Sequence, residues 1–269
     1  MNDGAPPTDP IEAIRREIDG IDSALLSLFA ERLQLADKMS ALKPPTGLPI
    51  RPGREIKMLR ALISAAPAPL ERELVIELWR TLIAANLRRQ RVIDVAVGGG
   101  RNDPARMFDI ARRHFGARTR IQHVGDPQTA LMRASEQPDR CVAVVPWPAA
   151  PGVGSWWPAL SESRFSRLHL ISGLPVLGGS DEDPEACVFA TSSNEEAGRD
   201  VSLLMLDDPH HKAQRALTEV GLKGREVARS EPRVLLRVDG FVAIDDPRAG
   251  AMARFGLERV RVLGSYARV

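Results

Sequence analysis

Only two cysteines, Cys141 and Cys187, occur in the 269 residues, far apart and without the paired spacing of a metal site. A disulfide framework and a thiolate zinc site are therefore excluded, and a reducing cytoplasm is the expected compartment. No apolar run reaches 18 residues, so no membrane-spanning helix is expected. The opening MNDGAPPTDP lacks a basic stretch followed by an apolar one, so it does not read as a secretory signal. No block of lysine and arginine stands out and the net charge is +2, which removes nucleic acid as a natural partner. VGGGRND lacks the spaced glycines and the lysine of a phosphate cradle. His210 and His211 are adjacent and point apart on a helix, a poor metal pair. No cofactor or metal is expected. Glycine and proline, 21 of each, supply many turns without a low-complexity regime. With 43% apolar and 27% charged residues the chain is ordinary globular material, long enough for two or three domains.

What is present begins with a helix signature. Asp9, Pro10 and Glu12 supply an N-cap, a first-turn proline and a capping-box acid. Ile11, Ile14, Ile18, Ile21, Leu25 and Leu28 then step by three and four, and the register resumes at Leu35, Met39 and Leu42. About 33 residues at ~1.5 Å each predict a rod of roughly 50 Å. A compact domain of about 80 residues is only ~30 Å across. Such a helix overhangs its own domain and leaves apolar surface bare, so a homodimer built around it is expected. A shorter helix follows with Met58, Leu59, Leu62 and Ile63, then a third from about Leu70 to Arg91 with Leu74, Val75, Leu78, Trp79, Leu82 and Ile83.

The pattern changes at Val92. VIDVAVGGG reads as a buried strand entering a glycine turn, and RMFDIARRHF, TRIQHV, TALMRASEQ and CVAVVP alternate as helix and strand, the pattern of an α/β unit. Pro146 to Pro158 reads as an irregular surface segment whose tryptophans anchor it to the core. HLISGLPVL and ACVFAT are further strands, and SSNEEAGRD marks a boundary. After it the order is β-α-β-β-α-β, a ferredoxin-like arrangement, with a hairpin around Asp239–Gly240 as the rival local reading.

Polar residues stand where apolar ones are due. Arg32 falls in the stripe of the first helix, four after Leu28 and three before Leu35. Glu55 shares the face of Leu59 and Leu62, and Trp79 and Ile83 lead by 4, 3 and 4 to Asn86 and Gln90. A buried arginine without an anion is very costly. These groups either satisfy one another or line a pocket for a charged ligand. Lys43 follows Arg32 by 11 residues on nearly the same face. Their Cα atoms are ~16 Å apart, a span that two long side chains can close onto one small anion. Arg15 lies roughly 100° off that line, which suits a partner chain's pocket.

The residues IRREIDGIDSALLSLFAERLQLADKMSALK, GLPIRPGRE and LWRTLIAANLRRQ resemble the all-helical chorismate mutases over about residues 10–92. The resemblance implies substrate-binding roles for Arg15, Arg32 and Arg54, with Arg15 reaching across the dimer. It implies that Lys43 and Gln90 contact the ether oxygen of chorismate, that Glu55 binds the ring hydroxyl, and that Asn86 stands near the substrate carboxylate. IRPGRE departs from relatives that carry an aspartate before the Arg-Glu pair. The remainder resembles a worn prephenate dehydratase with its ACT domain. ACVFAT places Cys187 and Val188 where the dehydratase motif has threonine and arginine, and GGGRNDPARMF and CVAVVPWPAAPGVGS lack the other motif residues. Dehydratase activity is therefore expected to be absent.

The expected architecture is multidomain, α then α/β. It has a flexible tail over 1–9, a three-helix chorismate mutase-like domain over 10–92 in an intertwined dimer, a truncated dehydratase-like α/β region over 93–197, and a ferredoxin-like, ACT-like domain over 198–269. The expected activity is conversion of chorismate to prephenate. The alternatives are pyruvate elimination from isochorismate on the same fold and a non-enzymatic amino-acid-sensing subunit.

Overall fold

A computed structural model describes residues 9–42, 47–99, 103–148, 155–178, 182–192 and 194–269. Lys43 and the expected tail up to residue 8 lie outside the described residues. The chain divides into two compact units, Met1–Pro45 and Thr46–Val269.

The first unit is the helix α1, Pro10–Ala41. Asp9 caps it, its carboxylate accepting from the Ile11 N–H at 3.0 Å, with Pro10 in the first turn where a missing N–H costs nothing. Its 32 residues make it ~48 Å long. No residue of α1 is buried, and the apolar stripe lies open, with Ile14 58%, Ile21 60% and Leu28 60% exposed.

The second unit is organised by a nine-stranded mixed sheet. Its strands are β1 (Asp94–Val97), β2 (Arg120–His123), β3 (Cys141–Pro146), β4 (His169–Leu174), β5 (Ala186–Ala190), β6 (Asp200–Asp207), β7 (Gly224–Ser230), β8 (Arg233–Asp239) and β9 (Glu258–Ala267). They run in the order β2-β1-β3-β5-β4-β9-β6-β8-β7. The helices are α2 (Pro52–Ala65), α3 (Arg72–Gln90), α4 (Pro104–Phe115), α5 (Pro127–Glu136), α6 (Ala213–Glu219) and α7 (Pro247–Ala251). β1 pairs in parallel with β2 and β3, the geometry that helical crossovers impose, while β6 to β9 pair antiparallel in the element order β-α-β-β-α-β.

Alternation along each strand divides the core between the two faces. Ala143, Val145, Leu203 and Met205 pack with α5 and with Trp156, Trp157 and Phe165 on one face. Val142 and Val144 pack with α2, α3 and α4, and Leu204 and Leu206 with α6 and α7, on the other. Arg261 of β9 fastens the first cover, its guanidinium donating to the carbonyls of Phe165 (2.8 Å) and Leu168 (2.9 Å). At the seam between the two halves of the sheet, β4 meets β9 only at Leu170 and Gly264. Gly264 has φ +133°, and a Cβ there would strike the Leu170 carbonyl oxygen, so the close approach requires glycine.

The rival hairpin around Asp239–Gly240 does not form. β8 is already flanked by β6 and β7, and its hairpin with β7 turns at Glu231–Pro232, between the paired Ser230 and Arg233. Within the segment from Pro146 to Pro158, Trp156 and Trp157 are buried in the core, as expected of tryptophans that anchor it. On α3 the buried line is Ile76, Arg80, Ile83 and Leu87, whereas Leu74 and Leu78 are exposed. The apolar pattern of α3 is wide enough to allow either face, and packing on α4 and the sheet selects one.

Candidate active site

Position 55 is drawn inward by its helix. Glu55 precedes the fully buried Leu59 by one turn, and α2 packs on α3 through that side. There Arg80 meets it, Nη1 donating to Oε2 at 2.5 Å, with the side chains 4% and 11% exposed. The other nitrogens of Arg80 donate to the His114 carbonyl at the end of α4, Nε at 3.1 Å and Nη2 at 2.7 Å. The guanidinium thus satisfies a helix-terminal carbonyl and a carboxylate together, which is what keeps a buried cation tolerable.

His114 is itself buried, and its Nδ1 has no hydrogen-bond partner. Burial, reinforced by the charge of Arg80, holds its pKa well below the usual histidine range, so the ring is neutral.

The sequence-derived set is distributed as follows. Arg15 is exposed on α1 and pairs with Glu12 at 2.5 Å. Arg32 is half-buried on α1, its Nη1 has no hydrogen-bond partner, and burial lowers its pKa. Arg54 is exposed on α2. Asn86 and Gln90 are half-buried one turn apart on α3, and Asn86 Oδ1 has no partner. Within the second unit, Arg80 lies ~100° around α3 from the line of Asn86 and Gln90, and it is toward Arg80 that Glu55 turns.

Arg80 is the residue that reading the sequence missed. Its signal was available: a charge at the step between Ile76 and Ile83, the same anomaly that singles out Arg32.

The described residues contain no group of three or more metal-ligating side chains and no helix long and apolar enough to cross a membrane. The side chains identified are cations, an amide pair and a fixed carboxylate. They include no paired nucleophile and general base.

The bifunctional chorismate mutase/prephenate dehydratase of Pseudomonas aeruginosa is 31% identical over 116 residues, covering 40% of this chain and 31% of that protein. The T-protein of Haemophilus influenzae is 38% identical over 74 residues, covering 27% of this chain and 20% of that protein. Both matches thus span about a third or less of the relative. The solved structure of prephenate dehydratase from Streptococcus mutans aligns with a TM-score of 0.43 at 14% identity, covering 66% of this chain and 100% of that one. Residues 14–91, from α1 through α3, match the chorismate mutase type II family.

Proposed function

We propose that this protein is a chorismate mutase, rearranging chorismate to prephenate, and that its C-terminal part does not catalyse dehydration. The family match over residues 14–91 carries the reading, because it falls on the segment whose polar residues interrupt its apolar faces. The rearrangement is pericyclic and needs no nucleophile, metal or cofactor. The protein must hold a flexible dianion in its reactive shape and stabilise charge developing on the ether oxygen as the C–O bond breaks. Arg15, Arg32 and Arg54 suit the first task through bidentate carboxylate pairing. Lys43 and Gln90 suit the second, with Asn86 beside a substrate carboxylate and Glu55 on the ring hydroxyl. Arg80 fixes the Glu55 carboxylate from behind, so Arg80 is a positioning residue in this reading.

The open stripe of α1 supports an intertwined homodimer over residues 10–92, in which Arg15 serves the partner's site. The strand order β9-β6-β8-β7 supports a ferredoxin-like, ACT-like domain over 198–269. Burial of Cys187 and Val188 inside β5 supports the loss of dehydratase chemistry over 93–197, since neither can present a cation to a substrate. Two unpaired, buried cysteines suit a reducing cytoplasm.

The decisive experiment follows chorismate loss and prephenate formation with the purified full chain, with isochorismate and aromatic amino acids as parallel arms. Turnover of chorismate is expected, reduced ~10²-fold or more by Arg32→Ala. No turnover, pyruvate from isochorismate instead, or full activity in Arg32→Ala overturns the reading.

A further inference from the structure

Two sets of contacts hold α2 in place. Glu55 takes the guanidinium of Arg80 from α3. The other set joins α2 to the connector between β5 and β6 and to the end of β9. Both of those segments lie beyond the family match over residues 14–91.

The approach to the connector is close. Gly53, in the first turn of α2, is buried, and a Cβ there would lie 2.8 Å from the Glu195 carbonyl oxygen, so the contact requires glycine. Arg51, just before the helix, donates from Nε to Glu195 Oε1 at 2.8 Å. Ile56 is buried in one cluster with Ala197 and Ala267.

Arg60 ties these segments together. Its Nη1 donates to the carbonyl of Ala197 at 2.9 Å and to that of Gly198. Its Nη2 and Nε donate to the carbonyl of Arg268 at 2.6 and 3.2 Å. A planar fork of donors can serve two chain segments at once, which a point-like ammonium does less well. The connector turns here through Gly198 (φ +74°) and Arg199 (φ +51°). Asp200 fixes that turn, its carboxylate oxygens accepting from the Ala197 N–H at 3.0 and 3.1 Å. Arg60 therefore grips main chain that is itself held.

Glu55 and Arg60 lie ~140° apart around α2, so the helix is held on two flanks. α2 is a single 14-residue rod, and what anchors Arg60 also sets where Glu55 stands. We infer that Arg60 is a positioning residue for the chorismate site: by locking α2 to the β5–β6 connector and to the end of β9, it sets where Glu55 meets the ring hydroxyl. Residues 197, 198 and 268 thereby complete a site whose family match ends at residue 91. This assignment rests on the mutase reading and on the place of Glu55 in it.

Chorismate kinetics of the full chain, in a double-mutant cycle of Arg60→Ala and Glu55→Gln, test it. Arg60→Ala is expected to lower kcat/KM ~10-fold or more while unfolding stays cooperative. In the Glu55→Gln background the same substitution is expected to change kcat/KM by less than about twofold, because a residue acting through Glu55 has nothing left to position. Arg60→Lys is expected to fall between wild type and Arg60→Ala, and it takes the place of Arg60→Ala in the cycle if that variant does not fold. Hydrogen exchange supplies a readout independent of turnover: amides of residues 56–59 are expected to exchange roughly tenfold faster in Arg60→Ala. Full activity in Arg60→Ala, the same fold-loss in both Glu55 backgrounds, or unchanged exchange overturns the inference. If the wild type leaves chorismate untouched while exchange responds to Arg60→Ala, the mutase reading falls and the role at chorismate with it, whereas the fastening of α2 stands.

Discussion

Arg80 on α3 and Glu55 on α2 form a buried ion pair, Nη1 to Oε2 at 2.5 Å, and the same guanidinium closes the end of α4 through the His114 carbonyl. Three helices therefore depend on one side chain. Arg80→Met strands a carboxylate and a carbonyl together, and removing one partner of a buried pair costs about 3 kcal/mol or more. Replacing both members, Arg80→Met with Glu55→Leu, removes the uncompensated charge and is expected to cost less than the single change. Urea unfolding of the two singles and the double, read as a cycle, checks this.

Gly116 ends α4 at φ +87°, and a Cβ there would lie 2.6 Å from the Ala84 Cβ on α3. Gly116→Ala meets both a backbone conformation that side chains disfavour and a steric clash, so a loss of about 2 kcal/mol is expected. Adding Ala84→Gly should recover the steric part and leave the conformational part. Thermal unfolding of the three variants separates them.

His114 makes stability depend on pH. Its folded pKa lies well below its ordinary value of 6.5, so the unfolded chain binds the proton more readily. Stability attributable to His114 is full above about 6.5 and is lost as pH falls below it, at up to ~1.4 kcal/mol per unit. His169 is lowered in the same direction by burial and by Arg261, so the wild-type slope contains both. His114→Gln should flatten the slope between pH 5 and 6.5 without abolishing it. Denaturation midpoints across that range test the difference.

The bare stripe of α1 carries the dimer proposal. Ile21→Glu with Leu28→Glu places charge on two residues that are each 60% exposed. A lone helix would tolerate both substitutions, whereas an interface would not. Light scattering is expected to report two chains per particle for the wild type and one for the variant. An unchanged mass, or a wild type that is already single, removes the interface.

Local chemistry made much of the fold legible. Asp9 and Pro10 announce the start of α1, and its 3-4 stepping, broken only at Arg32, runs to the end of the helix. The β-α-β-β-α-β order after Gly198 follows from alternating strands and short amphipathic helices. The inward position of Glu55 followed from its distance to Leu59. The rival hairpin that Asp239–Gly240 left open shows the limit. The dipeptide licenses a turn, but pairing depends on which edges of β8 are free, and both were taken by β6 and β7.

Sequence alone determined which residues form helices and strands and which positions carry charge against the apolar pattern, because capping, periodicity and side-chain chemistry act within a few residues. The tertiary structure decided which face of α3 is buried, that Arg80 claims Glu55, and that Arg60 reaches the carbonyls of Ala197 and Arg268. Those outcomes join segments up to 208 positions apart along the chain, from Arg60 to Arg268. They depend on burial and on competition for hydrogen-bond partners, which exist only once the helices have packed.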